Sequence, residues 1–232
     1  MNARGPAKLA GIVMAGIVVT LAFLALGTWQ VQRLAWKRAL ITQVDARLAT
    51  RPVPAPVTAS LDDTYRRVRA TGVFEPGRDT FVQASTIRGP GWWVITPLRT
   101  DDGRLILINR GYVATRAAST APSGLISVTG LLRRSEPGGG FLRNNDPAAD
   151  RWYSRDVAAI SARRGLGKTA SYFIDADAGT EAPGVPIGGL TVVRFNNNHL
   201  AYAITWYILA AMTVGGLIMW IVVGRRGADA GQ

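Results

Sequence analysis

Asn196-Asn197-Asn198-His199-Leu200-Ala201-Tyr202-Ala203-Ile204-Thr205-Trp206-Tyr207 opens an apolar stretch that continues without a charge to Val223. The stretch is long enough for one helix to cross the ~30 Å hydrocarbon core of a membrane. Tyr202, Trp206 and Tyr207 stand where an aromatic belt meets lipid headgroups. The only histidine of the chain, His199, therefore lies at a predicted boundary between water and lipid.

A second apolar segment, Leu9 to Gly27, predicts another membrane helix. The alternative is a cleaved signal peptide, because Ala25-Leu26-Gly27 places small residues where a signal peptidase cuts. The segment has nineteen residues, which is longer than the usual h-region of ~7 to 15 residues and favours an uncleaved helix. Small residues are predicted to let the two helices approach closely: Gly11 and Ala15 in the first, Gly215 and Gly216 in the second.

These segments divide the chain into predicted regions. Residues 1–8 and 224–232 are cytoplasmic ends, 9–27 and 199–223 are membrane helices, 28–56 is a helical stalk with a proline-rich linker, and 57–198 is a periplasmic β-rich domain. Too few residues precede the first span for a mitochondrial targeting sequence, so we expect a bacterial inner (plasma) membrane protein with two membrane passes. Arg225 and Arg226 closely follow the second span, which favours cytoplasmic termini.

The composition excludes several classes of function. Cysteine is absent, so the chain has no disulfide framework, thiolate metal site or thiol nucleophile. The net charge of +12 comes mainly from arginines scattered along the chain, which disfavours nucleic acid as a partner. Anionic lipid headgroups of the bilayer, or the carboxylates of a haem-like ligand, fit this charge better.

The remainder of the chain predicts a stalk followed by a sheet. Apolar residues recur every four positions between Thr28 and Leu48, which predicts a helix, and prolines 52, 54 and 56 end it. Asp101-Asp102-Gly103 is typical of a hairpin turn, and Leu105 to Ile108 is apolar throughout, as in a strand covered on both faces. A short helix is predicted at Arg155 to Arg164. The candidate strands are Val68 to Phe74, Thr80 to Ala84, Trp92 to Leu98, Leu105 to Val113, Ile126 to Arg133, Tyr172 to Asp175 and Leu190 to Phe195.

The expected fold class is an α+β membrane protein. Two transmembrane helices flank an antiparallel β-rich domain outside the cytoplasm, a sandwich or partly closed barrel of about seven strands.

No motif in the sequence indicates catalysis, and we expect that the protein is not an enzyme. A serine triad would need His199, and no Gly-x-Ser-x-Gly elbow occurs. Gly165-Leu166-Gly167-Lys168-Thr169 resembles a phosphate loop but has alanine at 162 where glycine is required. The carboxylate pairs Asp62-Asp63, Asp101-Asp102 and Asp175 with Asp177 are interpreted as solvated turn residues.

Two interpretations of His199 remain open at this stage. It can be a helix-entry residue at the interface, with Asn196 to Asn198 capping the helix. It can also be the axial ligand of a haem iron, a metal that accepts one imidazole in a site with apolar and aromatic walls. Helical spacing places Tyr202, Ala203 and Trp206 on the side of His199, with the small alanine leaving room for a flat ligand.

Several ordered blocks together resemble the surfeit locus protein 1 family, membrane factors that help assemble cytochrome c oxidase. The blocks are Leu26-Gly27-Thr28-Trp29-Gln30-Val31-Gln32-Arg33 with Trp36-Lys37, Gly91 with Val94-Ile95-Thr96-Pro97-Leu98, Ile108-Asn109-Arg110-Gly111-Tyr112-Val113, Gly130-Leu131-Leu132-Arg133 with Glu136, Asn144-Asn145-Asp146-Pro147, Trp152 with Arg155-Asp156, Pro186-Ile187-Gly188-Gly189, and Asn198-His199-Leu200 with Tyr202 and Thr205-Trp206-Tyr207. Ala114 replaces a proline of the family pattern, and Ala201 stands where relatives often have a polar residue.

The resemblance implies a two-helix inner-membrane protein similar to relatives that supply haem a to oxidase subunit I. It implies subunit I as a partner, with the haem a synthesis machinery as a further possible one, and haem a binding at the position of His199. Our hypothesis is that the haem iron binds His199, that the ring packs on Tyr202 and Trp206, and that its propionates meet Arg33 or Lys37. A single protein ligand that can be exchanged suits a protein that must release haem as well as bind it.

Two other functions remain as alternatives. One is a cofactor-free scaffold that stabilises subunit I during assembly, in which His199 only enters the helix. The other is a membrane-tethered sensor, which is disfavoured because the short tail Gly224 to Gln232 is too small to pass on a signal.

Overall fold

The computed structural model of the protein describes residues 6–116, 121–140, 142–179, 182, 184–191 and 197–229. The chain forms two compact units, one from residues 1–43 with 194–232 and one from residues 44–193. The described helices are α1 (Pro6–Ala49), α2 (Val157–Arg164) and α3 (His199–Asp229). The described strands are β1 (Val53–Pro54), β2 (Arg67–Phe74), β3 (Thr80–Thr86), β4 (Gly89–Thr100), β5 (Leu105–Val113), β6 (Ile126–Arg134), β7 (Gly139–Gly140), β8 (Arg143–Asn144) and β9 (Thr169–Ala176).

Helices α1 and α3 are long and apolar enough to cross a membrane. Their apolar windows have mean hydropathies of 2.6 and 2.1. The helix predicted over Thr28 to Leu48 is confirmed as the second half of α1, which continues from the apolar segment without a break. The helix ends at Ala49, shortly before the first of the three prolines, as their missing N–H groups predict. The membrane boundaries at 9–27 and 199–223 stay a prediction.

In the first unit, α1 and α3 pack along one seam. Seam residues are buried or half-buried on helices that are otherwise mostly exposed, and they recur in alternating steps of four and three, the spacing of a left-handed helix pair. Contacts from Gly16 to Leu217 and from Gly27 to Tyr207 show that the pair is antiparallel. The seam residues are Gly16, Thr20, Phe23, Gly27, Gln30 and Leu34 on α1, and His199, Ala203, Trp206, Ala210, Thr213 and Leu217 on α3.

The prediction of which small residues bring the helices together was wrong. Gly11, Ala15, Gly215 and Gly216 are exposed, and a Cβ atom on any of these three glycines would meet open space. The close approach is instead at Gly16 and Gly27, which share the seam face. Small residues on the other faces of a helix cannot bring it closer to this partner, because the heptad spacing fixes which face is buried.

The second unit contains a five-stranded barrel. Strands β2, β6, β9, β5 and β4 pair in that order, and β4 pairs again with β2 to close the sheet. This confirms the β-rich domain between two membrane-type helices, and the barrel is closed. Strands β5 and β9 pair in parallel, whereas the other neighbouring pairs of the barrel are antiparallel. Gly72 and Gly130 permit the close crossings, because a Cβ atom there would overlap the backbone of the neighbouring strand.

Strand β5 is covered on both faces, as its uninterrupted apolar run predicts. Ile106 and Ile108 belong to the apolar cluster to which all five barrel strands contribute. Leu105 and Leu107 pack in a second cluster beneath α2. The turn at Asp101-Asp102-Gly103 and the other predicted strands are also confirmed, except the one at Leu190 to Phe195. Leu190 and Thr191 lie outside the strands, and residues 192–195 of that prediction lie outside the described residues.

The glycine-rich run after α2 ends that helix, in agreement with the rejection of a phosphate loop. The helix predicted at Arg155 to Arg164 is confirmed from Val157 onward, with the Asp156 side chain accepting a hydrogen bond from the Ala159 N–H as its N-cap. Gly165 has a φ of 62°, the left-handed conformation that commonly ends a helix.

A buried ion cluster lies where β6 and β9 meet, and it corrects the interpretation of Asp175. Asp175 is the last residue of the predicted strand Tyr172 to Asp175 and was interpreted as a solvated turn residue, but only 2% of it is exposed. Its carboxylate accepts hydrogen bonds from Asn109 Nδ2 at 2.7 Å, Arg133 Nη1 at 2.9 Å and Arg155 Nη1 at 3.0 Å. Glu136 accepts a second bond from Arg155 at 2.6 Å. Two arginines and two carboxylates thus balance in charge.

This cluster predicts loss of stability in acid. Burial alone would raise the pKa of Glu136, but the hydrogen bonds and charge of Arg155 outweigh it and hold the pKa below its ordinary 4.5. The folded state therefore binds this proton less readily than the unfolded chain. The stabilisation of the fold by the ionised Glu136 side chain is present above pH 4.5 and is lost as the pH falls below that value. Urea midpoints should be flat from about pH 8 to pH 6 and fall in acid. Glu136→Gln should be less stable at neutral pH and less sensitive to acid; equal acid sensitivity would contradict this assignment.

Candidate functional site

His199 is the first residue of α3 and lies in the helix seam. The amide of Tyr202 donates a hydrogen bond to the carbonyl of Asn198, which continues the helical pattern one residue further back. Asn196, one of the proposed capping residues, lies outside the described residues. The imidazole is half-buried, so it is held by the protein and still reaches its surface.

The imidazole of His199 is hydrogen-bonded to Gln30 of α1. The distance from Nδ1 to Oε1 of Gln30 is 2.7 Å. Because a carbonyl oxygen only accepts hydrogen bonds, this placement of the Gln30 amide favours the tautomer in which Nδ1 carries the proton and donates. In neutral imidazole the other nitrogen, Nε2, then has the free lone pair. Within the part of the chain that the structure describes, Nε2 has no hydrogen-bond partner.

The two aromatic residues predicted beside His199 have different environments. Tyr202, three positions along α3, is 55% exposed. Trp206 stacks on Phe23 of α1, with ring centroids 5.7 Å apart and planes inclined by 28°. One face of Trp206 therefore packs against α1, and the side chain is half-buried. Ala203 does not leave the predicted space for a flat ligand, because it is buried in the seam.

The predicted basic residues lie on α1 beyond Gln30. At 1.5 Å per residue, Arg33 is about 4.5 Å and Lys37 about 10 Å further along the helix axis. Arg33 is exposed, and its guanidinium carbon lies 5.3 Å from the ring centre of Trp36 and 5.8 Å from that of Trp29. Lys37 is half-buried. Seven residues make nearly two full turns, so Lys37 shares the face of Gln30, whereas Arg33 lies to one side of it.

The donor set fits a ligand that takes one imidazole from this chain. In the described ranges, no three His, Cys, Asp or Glu side chains lie close enough to hold a metal ion, so a structural zinc site does not fit. A histidine that donates from Nδ1 to a fixed acceptor is the usual form of a metal-ligating imidazole, because that bond orients the ring. Asn197 Oδ1 is also buried, with no hydrogen-bond partner among the described residues.

Gln30 is the site residue that sequence reasoning missed. It is separated from His199 by 169 positions, so no local motif connects them. The sequence nevertheless contained a signal for Gln30. It is a polar residue in the series Gly27, Gln30 and Leu34, whose steps of three and four place it on the seam face. A polar side chain at such a position needs a partner on the facing helix.

Comparison with known proteins gives one consistent result. The sequence model of the SURF1 family matches residues 17–211, a range that contains both Gln30 and His199. Surfeit locus protein 1 of Rattus norvegicus is 34% identical over 212 residues, covering 81% of this chain and 68% of the rat protein. The Homo sapiens protein of that name is 32% identical over 222 residues, covering 85% and 73%. A SURF1-like protein of Monosiga brevicollis is 32% identical over 240 residues, covering 94% and 90%.

Proposed function

The chain belongs to the SURF1 family, and on that premise we propose that it is an assembly factor for cytochrome c oxidase that binds haem a through His199 and assists its insertion into subunit I. The protein acts by holding and transferring a cofactor, without catalysis. Haem a is its cargo, and the iron of the haem supplies an open axial position that accepts one imidazole.

The haem-binding proposal depends above all on the hydrogen bond between His199 Nδ1 and Gln30 Oε1. It orients the ring and gives Nε2 the lone pair that an iron ligand needs. A lone protein ligand also suits a carrier, since a donor with one exchangeable bond can release its cargo to a receiving subunit.

The neighbouring side chains support the same role. Tyr202 presents an exposed ring one turn along α3, and the half-buried Trp206 adds a second aromatic ring on the same helix. Arg33 and Lys37, three and seven residues beyond Gln30 on α1, supply positive charge for the propionates. Charge-assisted hydrogen bonds between arginine and carboxylate are among the stronger polar contacts in proteins.

The two apolar helices support the proposed location. Both cross the bacterial inner membrane, both termini are cytoplasmic, and the barrel domain is periplasmic, which sets His199 at the outer interface. Haem a then arrives from its synthesis machinery through the bilayer and leaves toward subunit I.

A cofactor-free scaffold for subunit I is the second candidate function. It is favoured by the packing of the site, because Ala203 is buried and Trp206 stacks on Phe23. In that case the His199–Gln30 pair serves to align the two helices.

The test is the haem content of protein purified from cells that make haem a. His199→Ala should lower haem per protein by at least about tenfold, since even the outer-shell partners of metal ligands are worth 10–100-fold. Asn198→Ala, an exposed neighbour in the same segment, is the matched control and should keep wild-type haem. Equal haem in wild type and His199→Ala would overturn haem binding at this site, and haem-free wild-type protein would favour the scaffold.

A further inference from the structure

We infer that Gln30 is the positioning residue of the haem site: it fixes the tautomer and ring orientation of His199 and thereby prepares Nε2 as the iron ligand. This inference rests on the proposed haem binding for its consequence, but the tautomer itself can be measured without haem.

The first argument is the burial of the pair. Gln30 is 9% exposed, in a seam whose other α1 members are glycine, threonine, phenylalanine and leucine. A buried amide without a hydrogen-bond partner is unfavourable, so its position is set by the partner that it finds. That partner is His199, at 2.7 Å. The imidazole and the amide therefore hold each other in one arrangement.

The second argument is the chemistry of the acceptor. Free imidazole exchanges its proton between two nitrogens, and only one tautomer has a lone pair on Nε2. An acceptor fixed opposite Nδ1 selects that tautomer before any ligand arrives. The same bond prevents rotation of the ring about χ2, so the direction of the Nε2 lone pair is also set. Without the acceptor, part of the protein would have its Nε2 blocked by a proton.

The chain offers an unusually direct measurement of the tautomer. His199 is the only histidine, so protein labelled with 15N-histidine gives one pair of ring nitrogen signals. In haem-free full-length protein in nanodiscs, we expect a protonated Nδ1 and an unprotonated Nε2. Gln30→Leu should mix the tautomers or shift the proton to Nε2. Gln32→Leu applies the same substitution to an exposed glutamine of α1 and should leave the wild-type signals unchanged.

The consequence for binding is measured by titration with haemin as the probe. Gln30→Leu should weaken binding by about 10–100-fold, the usual cost of losing the partner of a metal-ligating histidine, whereas Gln32→Leu should not. Gln30→Glu keeps an acceptor opposite Nδ1, with a full negative charge. It should restore binding and lower the reduction potential of the bound haem, because a more strongly polarised imidazole donates more electron density to iron.

The outcomes separate this inference from the proposed function. An unchanged tautomer in Gln30→Leu, or unchanged haemin affinity in that variant while His199→Ala loses it, would overturn the role of Gln30 alone. Retained haemin affinity in His199→Ala would overturn the haem site itself, while the nitrogen signals would still show whether Gln30 sets the tautomer.

Discussion

Asp175→Ala should lower the free energy of unfolding of the barrel domain by about 3–5 kcal/mol, the cost of removing one partner from a buried ion pair. The carboxylate is only 2% exposed, and it accepts hydrogen bonds from both Arg133 and Arg155. Their side chains are 16% and 13% exposed, so water cannot fully replace the lost partner. Glu136 alone would then face two mostly buried guanidinium groups.

The matched control is Asp177→Ala, two residues further along the chain. Asp177 also pairs with an arginine, Arg67, but both side chains are 31% exposed. A pair with such access to water contributes only about 0–1 kcal/mol. Urea unfolding followed by tryptophan fluorescence, with the buried Trp152 as a reporter in the domain, should show a large midpoint shift for Asp175→Ala and a small one for Asp177→Ala. Equal shifts would show that burial does not determine how much these ion pairs contribute to the free energy of unfolding.

Asp175 also shows why the sequence was insufficient for the interior of the domain. Local composition around Asp175 and Asp177 is that of a turn, because aspartate followed by alanine and glycine is common there. The position is decided by arginines 42 and 20 residues away, whose distance in space no local pattern encodes. The strands themselves could be predicted, since alternation and turn residues are local signals.

Closure of the barrel was another feature that the sequence pattern could not predict. The prediction left a sandwich and a partly closed barrel open. Closure depends on the short pairing of Gly72 to Phe74 with Leu98 to Thr100. It also depends on the parallel pairing of β5 with β9, which are separated by a long connection. Such choices follow from the packing of the whole sheet rather than from the pattern within any strand.

At the candidate site, the sequence identified His199 as the candidate ligand but did not identify Gln30 as its hydrogen-bond partner. A lone histidine at the start of an apolar helix can be recognised from the sequence alone. Gln30 becomes its partner only when α1 and α3 pack in the observed register. The seam spacing that selects Gln30 also selects Gly16 and Gly27 over Gly11. All three glycines look alike in the sequence, and the register of the pair distinguishes them.

Gly27→Leu should therefore separate the helices beside the site and weaken it. A Cβ atom at position 27 would lie 2.8 Å from Cε1 of Tyr207, so the larger side chain must displace that ring. Overpacking of this kind costs about 1–3 kcal/mol. Inside a membrane, helix association depends on close packing. The hydrophobic effect does not drive it there, because lipid tails are as apolar as the helix side chains. Gln30 is one turn further along α1, and its hydrogen bond to His199 should lengthen or break.

Two measurements check this result against Gly11→Leu, which makes the same change where nothing lies within 4 Å. Because the chain has no cysteine of its own, the pair Gly16→Cys with Leu217→Cys reports helix contact by disulfide formation. In that background Gly27→Leu should lower both the cross-linking yield and the haem content, and Gly11→Leu should lower neither. A drop in haem with full cross-linking would place the effect of residue 27 on the ligand itself, whereas unchanged values in both would show that the seam tolerates a larger side chain there.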